Sequence, residues 1–263
     1  MPATELRSIW PLGAPLLEGP LWHPADKALW FVCIKTPAIH RLDPAAGSRQ
    51  SWPAPAQIGF VVPVAGSARL VAGLQTGLHL FDPADGRFTL LADPEPGLPG
   101  NRLNDAVVDP EGRLWFGTMD DGESAPTGRF YRYDSNGPQA VAGPVPITNG
   151  PAVSPDGRIL YHVDTLGGDI LAAEIRADGS LGPAHLFAHV DRADGYPDGP
   201  SVDSEGHLWI GLYNGWAARR FAPDGRLVET RTFPVSAITK IAFGGPDLRT
   251  AYATTAAKHL DAA

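Results

Sequence analysis

An all-β fold made of repeated units is the fold class that this sequence predicts, and three observations support it. The 263 residues include 30 Gly and 27 Pro, a composition that favours many turns over long helices. No stretch shows a convincing amphipathic helix pattern, and six segments along the chain resemble one another. With 43% hydrophobic residues, the chain is also able to bury a substantial core.

Each of the six segments consists of an apolar residue, a turn and an apolar strand. They recur at intervals of roughly 40–50 residues, which is the spacing of β-propeller blades. A second turn and strand follow most of them, as in "GLHLFDPADG", so each unit holds about four short strands. We therefore predict a six-bladed β-propeller in a single domain, residues 1–263. The segments are "WHPADKALWF", "VAGSARLVAG", "VDPEGRLWFG", "VSPDGRILYH", "VDSEGHLWIG" and "FGGPDLRTAY".

Charge and cysteine content exclude several classes of function. The formal net charge is -8 and no basic run exceeds two residues, which argues against a nucleic-acid or anionic-membrane partner. Cys33 is the only cysteine, so no disulfide forms within the chain. The sequence shows neither a signal peptide nor an apolar span of about 20 residues. We expect a cytoplasmic protein that is a monomer or a weak homo-oligomer.

One position of the repeat, five residues before the turn, is polar in most units. In a propeller the strand that opens each blade runs beside the central channel, so equivalent residues point at a common axis. Four of the six positions carry a carboxylate or an amide, and the phenylalanine at another is expected to form an apolar wall of the pocket. The six residues are Glu18, Phe60, Asn104, Asn149, Asp198 and Thr239.

The four polar residues of this register predict a binding site for a hard divalent cation. Carboxylates and amide carbonyls supply the oxygen ligands that such ions prefer. Each residue alone is better explained as a cap for backbone N–H groups at a strand start. Four in one register favour the metal, because clustering carboxylates without a cation is costly.

The motifs that surround these residues resemble the senescence-marker-protein/gluconolactonase family, also called regucalcin-like lactonases. Those motifs are "LLEGPLWHP", "NRLNDAVVDPEGRLWFGTMDD", "ITNGPAVSPDGRILYHVDT", "YPDGPSVDSEGHLWIGL" and "FGGPDLRTAYATT", and they cover nearly the whole chain in the family's order. The similarity is greatest to bacterial sugar lactonases such as xylonolactonases. It implies a six-bladed propeller, one divalent metal in the channel and hydrolysis of an aldonolactone.

The resemblance also assigns roles to individual residues. The family's metal ligands fall on Glu18, Asn149 and Asp198, and its sugar contacts fall on Arg102 and Asn104. A general base must take a proton from the attacking water, and both the family and the residue type point to Asp198. No serine or cysteine nucleophile is needed for this chemistry.

Some assignments near "GTMDDG" stay open at this point. Some relatives carry an acidic residue there that reaches the sugar, and Asp120, Asp121 and Gly122 are all candidates for its place. We assign substrate binding to Asp121. Arg102 is alternatively a solvated residue at the pocket rim, paired with one of these aspartates, and Asp105 is expected to brace its turn.

The last blade is predicted to be incomplete. The sixth unit ends after the strand "RTAYATT", where similar proteins continue with a further pair of strands. An incomplete blade leaves an exposed edge strand. Closure of the ring is then weak, or is supplied by the N-terminal segment or by another chain.

The predicted function is metal-dependent opening of a sugar lactone of the xylono-, glucono- or arabinono-lactone type. Oxygen ligation fits Ca²⁺, Mn²⁺, Zn²⁺ and Fe²⁺. The alternative is a non-catalytic calcium- or sugar-binding propeller. An interaction propeller of the WD type would carry Trp-Asp signatures and no convergent carboxylates, and a calcium-dependent phosphotriesterase would need a second buried calcium site whose ligands the sequence does not reveal.

Overall fold

The structure, a computed structural model, describes residues 6–258 of the chain. Residues 1–5 and 259–263, at the two ends of the predicted domain, lie outside the described part. Within residues 6–258, apart from one short 3-10 helix at Arg192–Asp194, all regular elements are β-strands. No helix in that range is long and apolar enough to cross a membrane.

Five groups of four consecutive strands each form an antiparallel sheet in chain order. The first two sheets consist of β1 (Leu17–His23), β2 (Ala28–Cys33), β3 (Ala38–Asp43) and β4 (Ser48–Pro53), then β5 (Ile58–Pro63), β6 (Leu70–Leu74), β7 (Gly77–Asp82) and β8 (Arg87–Ala92). The third consists of β9 (Asn101–Val108), β10 (Leu114–Asp120), β11 (Gly128–Asp134) and β12 (Gly137–Val145). The fourth and fifth consist of β13 (Thr148–Val153), β14 (Ile159–Asp164), β15 (Asp169–Glu174) and β16 (His185–His189), then β17 (Tyr196–Val202), β18 (Leu208–Tyr213), β19 (Ala217–Phe221) and β20 (Leu227–Thr232).

A final sheet contains only β21 (Ile238–Gly244) and β22 (Thr250–Thr255). The first strands of all six sheets contact one another in sequence, and β21 contacts β1, so these strands enclose a common axis. This arrangement confirms the predicted all-β propeller.

The blade count differs from the prediction. The described residues form five complete four-stranded blades rather than six, because in this range no strand follows Thr255 to extend the sheet of β21 and β22. Strand β22 therefore pairs on one side only, and its residues alternate between buried and exposed along most of its length.

The segment before β1 joins the two ends of the ring. Leu16 forms an isolated antiparallel bridge with Ala256, and its carbonyl accepts a hydrogen bond of 3.0 Å from Ile34 N–H. The backbone N–H groups of Ala257 and Lys258 both donate to the carbonyl of Pro15, at 2.9 and 2.8 Å. The N-terminal segment thus closes the ring between the first blade and the two-stranded sheet.

The core lies between successive sheets, as expected when each sheet is apolar on both faces. All six residues of β2 are buried, whereas β4, at the outer edge of the same blade, is almost wholly exposed. Tryptophans pack at the blade interfaces and are held by turn aspartates. Trp115 Nε1 donates to Asp109 at 2.8 Å, and Trp209 Nε1 donates to Asp203 at 3.0 Å.

Each innermost strand has an irregularity in its pairing at the polar register that the repeats predicted. The register shifts between Glu18 and Leu21 in β1, between Asn149 and Ala152 in β13, and between Asp198 and Ser201 in β17. A β-bulge changes the direction of the side chains beside it, and bulges are common next to active sites. The "EGP", "NGP" and "DGP" sequences are therefore the bulges that turn the polar side chains inward.

Candidate functional site

The three predicted metal ligands line one cavity at the axis of the ring. Glu18, Asn149 and Asp198 come from the first, fourth and fifth blades, and each is 4–6% exposed. The cavity has a volume of about 240 Å³. Its walls comprise Leu16, Glu18, Arg102, Asn104, Met119, Glu123, Ile147, Asn149, Thr165, Leu166, Tyr196, Asp198, Tyr213, Asn214 and Lys258.

Glu18 and Asp198 are buried carboxylates that form no ion pair within residues 6–258. Each accepts a hydrogen bond from the N–H of the glycine that follows it, at 3.0 Å for Glu18 and 2.8 Å for Asp198. Burial, followed by the charges of Asp198 and Asp105, raises the pKa of Glu18 well above its ordinary value. Burial, together with the charge of Asp105, raises the pKa of Asp198 to about 7. Glu18 and Asp198 are therefore carboxyl groups that lie close to other carboxylates and are shielded from solvent.

The amide of Asn149 is oriented with its oxygen toward Asn104. Its Nδ2 donates to Thr165 Oγ1 at 2.7 Å, and its Oδ1 accepts from Asn104 Nδ2 at 3.1 Å. Thr165 Oγ1 in turn donates to the carbonyl of Pro197 at 3.0 Å. This chain of bonds fixes Asn149 in the orientation that offers oxygen to the cavity.

The donor set fits a divalent cation. Two buried carboxylates without a cationic partner in the described part, and an amide oxygen beside them, supply the hard ligands that Ca²⁺ and similar ions require. A bound cation would also favour the ionised form of both carboxyl groups, whose pKa values are raised by burial first and by neighbouring carboxylates second.

Arg102 lies beside these residues and is almost completely buried, at 3% exposed. Its Nε donates to Asp121 Oδ1 at 2.9 Å, and its Nη1 donates to Asn104 Oδ1 at 2.6 Å. Arg102 also lines the cavity, so it is not a solvated residue of the pocket rim. The ion pair between Arg102 and an aspartate, which the interpretation as a rim residue also predicted, is present and is formed with Asp121.

Asp121 binds the Arg102 guanidinium and is not part of the cavity wall. It also accepts hydrogen bonds from Lys35 Nζ at 2.6 Å and from Gln57 Nε2 at 2.9 Å. Partial burial opposes ionisation, but hydrogen bonds from Gln57 and Lys35 and the charge of Arg102 lower the pKa of Asp121 to about 2. Its position is that of a brace for Arg102, and direct substrate binding by Asp121 stays a prediction.

Asn104 connects the arginine to the predicted ligands. Its Nδ2 donates to the carbonyl of Thr148 at 2.5 Å and to Asn149 Oδ1, while its Oδ1 accepts from Arg102. Both ends of the amide are therefore occupied within the protein, although the side chain lines the cavity.

Phe60 occupies the predicted register, but its ring is not among the residues that line the cavity. The side chain is 1% exposed and packs in the core between the second and third blades, with its centroid 6.4 Å from that of Phe116. A Cβ on Gly73 would lie 2.2 Å from the Phe60 ring, so the absence of a side chain at residue 73 makes room for it. The structure thus places Phe60 in the core.

Several cavity residues were not found from the sequence. Glu123 and Lys258 form an ion pair, and Tyr213 OH donates to the carbonyl of Lys258, so the C-terminal segment crosses beside the cavity. Tyr196 and Thr165 complete this wall. Tyr196 lies two residues before Asp198, at the repeat position that Leu16, Arg102 and Ile147 occupy in other units, so this position of the repeat could have indicated it.

A second acidic group lies outside the cavity. Asp203, Glu205 and His207 approach one another at the turn of the fifth blade. Arg220 donates to Asp203 at 2.6 Å and to Glu205 at 2.5 Å, which supplies the cation that these carboxylates need.

The fold and the site together define a β-propeller with a polar cavity at its axis. Residues 16–257 match the model of the SMP-30/gluconolactonase/LRE-like region, and the chain belongs to this family. The chain is 33% identical to 6-deoxy-6-sulfogluconolactonase of Pseudomonas putida over 93% of its own length and 84% of that protein. It is 34% identical to L-arabinolactonase of Azospirillum brasilense over 81% of its own length and 71% of that protein.

Solved structures of the family have the same fold. A calcium-binding protein, regucalcin, from Agrobacterium tumefaciens superposes with a TM-score of 0.90 at 32% identity, covering 94% of this chain and 84% of that one. A luciferin-regenerating enzyme superposes with a TM-score of 0.89 at 28% identity, covering 94% of this chain and 86% of that one.

Proposed function

We propose that this protein is a metal-dependent sugar lactonase. The observation that carries the proposal is the convergence of Glu18, Asn149 and Asp198 beside the buried Arg102 in one cavity. Relatives named as sugar lactonases, including 6-deoxy-6-sulfogluconolactonase and L-arabinolactonase, support the substrate class. The substrate is a small sugar lactone of the xylono-, glucono- or arabinono-lactone type.

Glu18, Asn149 and Asp198 would hold one divalent ion, with Ca²⁺, Mn²⁺, Zn²⁺ and Fe²⁺ as candidates. When bound, such an ion polarises a carbonyl and lowers the pKa of water. Glu18 and Asp198 bring two negative charges, which match the charge of the ion. Three protein ligands leave positions open for small molecules, as catalysis requires.

Asp198 is the general base of the proposed reaction. Water adds to the carbonyl carbon of the lactone, and Asp198 accepts the proton that this water loses. The bond between the carbonyl carbon and the ring oxygen then breaks, and the proton passes to the leaving hydroxyl. A carboxylate beside the attacking water is able to accept its proton and to return it to the leaving oxygen.

Arg102 orients the substrate. Its Nε and Nη1 are engaged by Asp121 and Asn104, so the guanidinium is held rigidly at the cavity wall. A fixed guanidinium donates to lactone or hydroxyl oxygens without losing side-chain entropy on binding. The ion pair with Asp121 sets its direction before the substrate arrives.

A panel of sugar lactones tests this function. Metal-stripped protein is assayed with Ca²⁺, Mn²⁺, Zn²⁺ and Fe²⁺ added back singly, alongside Asp198→Asn as the matched inactive variant. We expect turnover of at least one lactone with at least one ion, and none from Asp198→Asn. A protein that binds the ion and turns over no lactone would instead be a calcium- or sugar-binding propeller, the second candidate, which the calcium-binding regucalcin structure favours.

A further inference from the structure

A buried ion pair spans the axis of the ring beside the cavity. Lys240 of β21 and Asp105 of β9 come from opposite positions of the ring and are 7% and 2% exposed. Lys240 Nζ lies 2.6 Å from Asp105 Oδ1 and 2.7 Å from Oδ2, so it donates to both oxygens. The proposed reaction uses neither residue.

Asp105 has no acceptor capacity left for another partner of similar strength. Besides Lys240, it accepts from Ala106 N–H at 2.8 Å and from Gly150 N–H at 3.1 Å. A carboxylate offers about four lone-pair directions, and four contacts use them. The bond to Gly150 also joins Asp105 to the bulge that carries Asn149.

The fifth blade leaves space for the lysine stem. A Cβ on Gly199 would lie 2.5 Å from Lys240 Cβ and 2.5 Å from the carbonyl of Thr239. The glycine of "DGP" therefore allows Lys240 to pass directly beside the bulge that carries Asp198.

Three carboxylates approach this part of the axis, and they divide into two kinds. Asp105 has a protein cation as its partner. Glu18 and Asp198 form no ion pair in residues 6–258, and each accepts only the following backbone N–H there. A third carboxylate without a cation at this depth would either take up a proton or attract a metal ion.

We propose that Lys240 is a fixed internal cation that occupies Asp105 and limits the channel to a single divalent ion, held by Glu18, Asn149 and Asp198. The inference rests on the proposed metal site, and it adds the reason why the channel binds one divalent ion per chain. Lys240 is tethered to the chain, so it neutralises Asp105 whether or not metal is available. Asp105 also supports the site through its hydrogen bond to Gly150, in the bulge that carries Asn149.

Equilibrium dialysis of metal-stripped protein against Mn²⁺, followed by elemental analysis, tests this inference. Wild type should bind one equivalent. Lys240→Ser removes the ammonium, opens space and adds a hydroxyl, so it should bind a second equivalent at Asp105. The double variant Asp105→Asn with Lys240→Met, which is neutral at both positions and nearly equal in size, should bind one equivalent with an affinity within about tenfold of wild type.

Two results would overturn the inference. One is a single equivalent in folded Lys240→Ser at saturating Mn²⁺. The other is loss of Mn²⁺ from the folded double variant, which would make Asp105 a ligand. If Lys240→Ser does not fold, Lys240→Gln, which keeps most of the stem and removes the charge, takes its place in the same measurement. Failure of the proposed metal site is distinguishable, because wild type itself would then bind no Mn²⁺.

Discussion

At the scale of single residues, the site depends on side chains that hold other side chains. The repeat register placed Asn104 beside the proposed metal ligands, and the family resemblance placed Arg102 and Asp121 there. The sequence did not show that Asp121 would face Lys35, Gln57 and Arg102 rather than the cavity. Contacts across 64 and 86 sequence positions depend on how blades meet, which no local pattern encodes.

Arg102→Ala should lower kcat/KM about tenfold to hundredfold and leave the metal content unchanged. In the proposed site the guanidinium supplies charge-assisted hydrogen bonds to the substrate, worth roughly 1.5–3 kcal/mol each, and does not bind the metal. Steady-state kinetics and elemental analysis on the same preparation check both parts. Arg176→Ala, on the exposed outer part of the fourth blade, is the control. Unchanged kinetics on every active lactone would remove Arg102 from the substrate site.

In His162→Leu, the free energy of unfolding should fall much less between neutral pH and mild acid than it does in wild type. His162 is buried against Phe130, and neither ring nitrogen has a hydrogen-bond partner among residues 6–258. Burial lowers the pKa of His162 to about 4. The unfolded chain then binds a proton from about pH 6.5 downward while the folded protein does not until about pH 4. Stability is therefore lost as pH falls through this window, by about 3 kcal/mol.

Urea unfolding at pH 7 and pH 4.5 measures the effect of His162. The difference in unfolding free energy between the two pH values should shrink in His162→Leu and stay unchanged in His185→Gln, whose side chain is exposed. An equal loss in wild type and His162→Leu would show that other groups cause the acid sensitivity.

At the scale of elements, the repeat predicted the strands and the position at which polar side chains face the axis. The β-bulges in β1, β13 and β17 explain why the side chains at that position point inward. The repeat did not predict the outcome for Phe60, because an apolar ring is stabilised more by the core space over Gly73 than by a polar channel. The blades also approach one another through glycines on their inner strands. A Cβ on Gly59 of β5 would lie 2.3 Å from the carbonyl oxygen of Asn104 and 2.5 Å from that of Leu103 in β9.

Gly59→Ala should therefore destabilise the protein by about 1–3 kcal/mol, because the added methyl group forces the second and third blades apart. The backbone of Asn104 would shift with β9, so kcat/KM should fall as well. Gly97→Ala is the matched control, since a Cβ there meets no atom within 4 Å. Equal unfolding free energies for the two variants in urea would show that the inner strands are not in tight contact at Gly59.

At the scale of the whole molecule, the proposed ligands join three blades that are distant in sequence. Glu18, Asn149 and Asp198 lie on β1, β13 and β17, so an ion at their centre binds only the closed ring. The sequence indicated this convergence because a propeller brings equivalent positions together. The closure by Pro15 and Leu16 could only be offered as one of three routes, since it depends on irregular segments at both ends.

Divalent metal should raise the melting temperature of wild type and not that of Asp198→Asn. A ligand that binds only the folded state at 100 times its dissociation constant stabilises by about 2.7 kcal/mol. Thermal melts of metal-stripped protein with and without the ion measure this difference. A melting temperature of wild type that is independent of every ion in the panel would contradict the proposed site.

The junction between the first and last sheets also governs how the protein matures during translation. Thr239 Oγ1 donates to the carbonyl of Leu17 at 2.7 Å, a contact between residues 222 positions apart. At about 5–20 residues per second, a ribosome needs roughly 10–45 s to pass from one to the other. Throughout that interval the inner edge of β1 has no neighbour on that side, and an uncovered strand edge promotes association between nascent chains. Growth conditions that slow elongation should therefore lower the yield of native protein, even though β1 and β21 lie side by side in the finished ring.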